Sequence, residues 1–66
     1  MAMYTKGQRV EVEFFDGEWL PGIVHEVKPN YGFFDSMETK YEIHGTDKKK
    51  PFLTLCSERL MRPTND

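Results

Sequence analysis

Gly7-Gln8-Arg9-Val10-Glu11-Val12-Glu13-Phe14, followed by Asp16-Gly17-Glu18-Trp19-Leu20-Pro21-Gly22-Ile23-Val24, decides the fold. Val10, Val12 and Phe14 alternate with Arg9, Glu11 and Glu13. A period of two is the mark of a half-buried strand. Asp16-Gly17 is a tight-turn pair, so a hairpin is expected around Phe15–Glu18. The next strand, Trp19 to Val27, is apolar on both faces in its first half. Such a strand serves both sides of a bent sheet, with the bend at Gly22 and a donor-free Pro21 at an edge or bulge. Pro29-Asn30 is expected to end it.

Further along, Tyr41 and Ile43 alternate with Lys40, Glu42 and His44, marking a third strand. Gly45 to Lys50 is a polar turn. Phe52 to Cys56 is a fourth strand. Ser57-Glu58-Arg59-Leu60 is too short for an α-helix and reads as one 3₁₀ turn. Met61-Arg62-Pro63 is a short closing strand. The expected fold is therefore all-β: a small, five-stranded, strongly bent antiparallel barrel. Its expected core is Val10, Val12, Gly22, Val24, Val27, Tyr41, Ile43, Leu53, Leu55 and Leu60.

Sixty-six residues make a single domain, 1–66, with the barrel over about 6–63. A chain this short buries only about 60% of its unfolded surface. One cysteine, Cys56, rules out a disulfide framework. Stability must come from packing, and nine aromatic residues supply it. The net charge is −2, and residues 1–26 carry −3 of it against +1 in the remainder. That distribution argues against a general phosphate-binding surface. The chain shows no signal-peptide core and no apolar run of membrane-spanning length, and its lone cysteine suits a reducing compartment. An intracellular location is expected, cytoplasmic or nuclear.

Gly-x-x-Val-x-Val, Asp-Gly-x-Trp-x-Pro-Gly-x-Val and the closing Leu60-Met61-Arg62-Pro63 resemble the Tudor and Agenet group of Src-homology-3-like barrels over nearly the whole chain. The resemblance implies a binding module, not an enzyme, that takes a peptide or protein partner. Many such domains hold methylated lysine or arginine in a cage of aromatic rings through cation–π attraction. The cage positions correspond here to Phe14, Leu20, His44 and Asp47, with Trp19 beside them. Leu20 and Asp47 stand where the family usually has rings, so the cage is degraded. A weaker resemblance, to the type II dihydrofolate reductase barrels, covers Gly7–Val10, Trp19, Gly22 and Glu58–Leu60. It implies an oligomeric barrel with a site between subunits, although that group's Val-Gln-Ile-Tyr motif has no counterpart in Pro51–Leu55.

Two other features bear on function. Tyr31, Phe33, Phe34 and Met37 sit in one long connection. Adjacent Phe33 and Phe34 on an extended chain face opposite sides, so one is expected in a contact with another copy or a partner. Lys48, Lys49 and Lys50, with Arg59 and Arg62, form the alternative nucleic-acid surface, although three lysines in a turn are ordinarily just solvated. His25, His44 and Cys56 lack paired ligand spacing, so no metal site and no cofactor are expected. No nucleophile–base–orienter set is present.

Overall fold

The computed structural model describes residues 3–32 and 37–64. Five strands follow in order: β1 (Arg9–Glu13), β2 (Trp19–Tyr31), β3 (Glu38–Gly45), β4 (Leu53–Ser57) and β5 (Met61–Pro63). A 3₁₀ turn at Glu58–Leu60 joins the last two. The strands form one antiparallel sheet in the order β4-β3-β2-β1-β5. The sheet bends around a single core, and β4 and β5 are its edges. No helix among the described residues is long and apolar enough to cross a membrane.

The first hairpin follows from its residues. The Gly17 amide donates to the Phe14 carbonyl (2.8 Å), and the Phe14 amide donates to Glu18 (2.9 Å). Gly17 has φ +84°, a conformation that suits glycine. The Asp16 carboxylate accepts the Glu18 amide (3.1 Å). The register then pairs Val12 with Leu20 and Val10 with Gly22, so the inward alternation continues across both strands.

β2 does not stop at Pro29-Asn30 as expected. It runs on to Tyr31, because the β2–β3 ladder absorbs one extra residue between Lys28 and Tyr31. Asn30 takes φ +54° there, and Pro29 needs no ladder partner for a missing N–H. A second extra residue lies between Val24 and Glu26, where His25 and Glu26 together oppose Glu42.

The buried core is Tyr4, Val10, Val12, Val24, Tyr41, Ile43, Cys56 and Met61, with Phe14, Val27 and Phe52 packed against it. Gly22 is buried as expected. Leu53, Leu55 and Leu60 are not core residues; all three are exposed. For Leu53 and Leu55 the reason lies in Phe52. Its carbonyl accepts the Gly45 amide (2.7 Å), and its ring rests on the side-chain-free surface of Gly22 and Gly45. That seat sets the phase of β4. Thr54 and Cys56 then point inward, and Leu53 and Leu55 point out. Tyr4 fills the space left open: its ring meets Tyr41 edge-on at 5.5 Å, and its hydroxyl donates to the Met61 carbonyl (3.4 Å).

Tyr41 also closes one end. Its hydroxyl donates to a Glu58 carboxylate oxygen (2.6 Å), and the Met3 amide donates to both groups (3.1 and 3.2 Å). These bonds hold the Glu58 carboxyl below its ordinary range, the Tyr41 bond first.

Candidate functional site

The residues of the expected ligand groove do not gather in one place. Phe14 lies on the core side of the sheet, its ring edge-on to Phe52 at 5.0 Å. Leu20 sits opposite Val12, also on that side. Trp19 faces away from the core, and the Arg62 guanidinium lies over its ring at 4.0 Å. His44 sits next to buried Ile43 and so faces outward. Asp47 is occupied in its own turn, where its carboxylate accepts the Lys49 amide (2.9 Å) and its carbonyl accepts the Lys50 amide (3.1 Å).

The basic residues are largely engaged. Lys50 pairs with Glu18. Arg62 donates to Glu11 at 2.6 Å while covering Trp19. A carboxylate beside each of these two cations weakens the field that a phosphate backbone would need. Lys48 and Lys49 remain on an exposed turn. Tyr31, the last residue of β2, and Met37, just before β3, are exposed. Phe33 and Phe34 lie outside the described residues.

Two surface features carry chemistry. The first is the free edge of β4. Register pairs His44 with Leu53 and Glu42 with Leu55. Gly45 and Phe52 exchange a backbone bond, so by antiparallel alternation Thr54 and Cys56 direct their N–H and C=O groups at β3. Leu53, Leu55 and Ser57 direct theirs the other way. No strand occupies that side among the described residues. Leu53 is 67% exposed and Leu55 37%. With Thr54, Lys28 and Glu42 they bound a shallow depression. Sequence reading missed this site because it assigned both leucines to the core.

The second feature lies one strand away on the same face. His25 follows buried Val24 and so faces outward, and its ring stacks on His44 at 4.3 Å with 18° between the planes. The Glu42 carboxylate lies 3.2 Å from His44 Nε2. That contact holds the Glu42 carboxyl below its ordinary range, with His25 and Lys28 acting in the same direction. The ligand atoms of His25, Glu42 and His44 all lie within 4.8 Å of one another. The expectation of no metal site rested on grouping the two histidines with Cys56. The structure joins them to Glu42 instead. Cys56 points into the core, where burial pushes its thiol pKa up.

Phe15, at the tip of the first turn, is fully exposed and was not singled out in the sequence; with Phe14 and Leu60 it edges a second depression.

The chain matches no family model, no curated protein and no solved structure.

Proposed function

We propose that this chain is a non-enzymatic binding module that takes an extended peptide as an added strand along β4. The exposure of Leu53 on an edge strand carries the reading. A sheet edge is a template for main-chain hydrogen bonds, and side chains at alternate positions give such binding its selectivity. Here the template presents the backbone groups of Leu53 and Leu55, with their side chains beside them. The partner that suits it carries aliphatic residues at alternating positions. This keeps the peptide partner implied by the Tudor-like resemblance and moves it from the cage to the edge.

The magnitudes favour weak, reversible binding. The surface that the two leucines expose amounts to roughly one side chain, and covering it contributes about 1.5–3 kcal/mol. Main-chain bonds add about 0.5–1.5 kcal/mol each. Association costs about 4 kcal/mol or more. With about four such bonds the net is about 5 kcal/mol at its favourable end, so a short peptide binds no more tightly than the high micromolar range.

The test is a titration of the labelled protein with a lysine-flanked peptide of alternating valine and threonine, followed by backbone amide shifts and exchange. The Leu53 and Leu55 amides should shift and gain protection. The Thr54 and Cys56 amides, already bonded to β3, should gain little. Shifts confined to Phe14, Leu20 and Asp47, or no shift at millimolar peptide, would refute the edge as the site. A protein that sediments as a dimer without peptide, with the Leu53 and Leu55 amides already protected, would assign the edge to a second copy.

A further inference from the structure

We propose that His25, Glu42 and His44 form a binding site for a late first-row divalent cation, zinc foremost. The site is independent of the peptide reading. It rests on a constellation that long-range pairing assembles: Glu42 and His44 share one face of β3, and the β2–β3 register brings His25 onto the same face.

The donor set fits such an ion. Two imidazole nitrogens and one carboxylate oxygen are ordinary zinc ligands, and three protein ligands with an open position describe a site completed by water or by a group from outside. Imidazole selects zinc, copper and nickel, whereas calcium and magnesium demand more oxygen donors than one carboxylate provides. The present separations are slightly too wide for a closed coordination sphere, since ligand atoms within 4.8 Å of one another must draw in to reach metal bonds of about 2.0–2.2 Å. His25 is exposed, and His44 and Glu42 are half-buried, so side-chain rotation alone can close the gap. The backbone is already placed.

Lys28 opposes a cation here, and its ammonium is drawn toward Glu26 at 3.4 Å. An open coordination position on the face that carries Leu53 and Leu55 leaves room for a ligand from a bound partner or a second copy.

The experiment is a titration of the full chain with zinc alone, read by calorimetry, and with cobalt as the coloured substitute. One ion per chain is expected, or one per two chains if a second copy completes the sphere. Cobalt should give a visible d–d band without a thiolate charge-transfer band, because Cys56 is buried on the other side of the sheet. Binding should weaken at least about tenfold in His25→Ala, His44→Ala and Glu42→Gln. His25→Phe preserves a stacked ring and removes the donor, so it too should weaken binding if the ring serves as a ligand. Calcium and magnesium should not compete. Zinc affinity unchanged in His25→Phe and His44→Ala, a thiolate band with cobalt, or no zinc binding at millimolar ion would overturn the proposal. Far-ultraviolet spectra of the variants check that each remains folded.

Discussion

Gly45→Ala tests the seat of Phe52, on which the phase of β4 depends. A Cβ at Gly45 would lie 2.6 Å from Phe52 Cδ2 and 2.8 Å from the Phe52 backbone nitrogen. Rotating the ring relieves only the first clash. The second is with main chain, which the Gly45–Phe52 hydrogen bond holds in place. Overpacking of a well-packed site costs about 1–3 kcal/mol, and a clash with both ring and backbone belongs at the upper end. A chain of 66 residues has about 3–10 kcal/mol of total stability. The substitution therefore removes a large share of it. With a urea slope of about 1 kcal/mol per molar, the unfolding midpoint should fall by about 2–3 M. Gly17→Ala is the control. Nothing lies within 4 Å of a Cβ there, and only its φ of +84° resists the change, so its cost should stay near 1 kcal/mol. A Gly45→Ala midpoint within about 0.5 M of the parent would refute the seat, and with it the explanation for the outward leucines.

The remaining predictions concern the outward leucines, the closed end and the cage. Leu53→Thr should change stability by less than about 0.5 kcal/mol, whereas Met61→Ala should cost about 2–5 kcal/mol; thermal or urea unfolding separates the two. Glu58 has a folded pKa below its unfolded value of about 4.3, so its contribution is complete above that pH and is lost as pH falls through the folded value. Glu58→Gln should flatten the acid limb of the stability curve below about pH 4.5 and leave the neutral region comparatively unchanged, as urea unfolding at stepped pH would show. A trimethyl-lysine peptide should bind weakly or not at all, because Phe14 and His44 lie on opposite faces of the sheet; micromolar affinity abolished by Phe14→Ala would contradict this.

Legibility in the sequence followed the strength of local pattern. Val10-Glu11-Val12-Glu13 has a single apolar phase, and Asp16-Gly17 has one favoured turn, so the first hairpin was readable residue by residue. The fourth strand was not. Phe52, Thr54 and Cys56 compete with Leu53 and Leu55, and both phases are apolar. What decides between them is the bare surface of Gly22 and Gly45, a contact between positions distant in sequence. Tyr4 was hidden in the lead-in for the same reason, since its partners Tyr41 and Met61 come much later. The histidine pair was least legible. His25 and Glu42 come from different strands, and only the β2–β3 register puts them on one face side by side.

The two edges of the sheet are unequal, and this limits how the molecule can assemble. β5 has only three residues, ends in Pro63, which has no N–H to offer, and carries an ion-paired Arg62. β4 alone is open. A particle with one adhesive side can join a second particle, but the pair then has no adhesive side left. Strand addition is therefore capped at two members, and growth into a fibril is blocked by valence, whatever the strength of each contact.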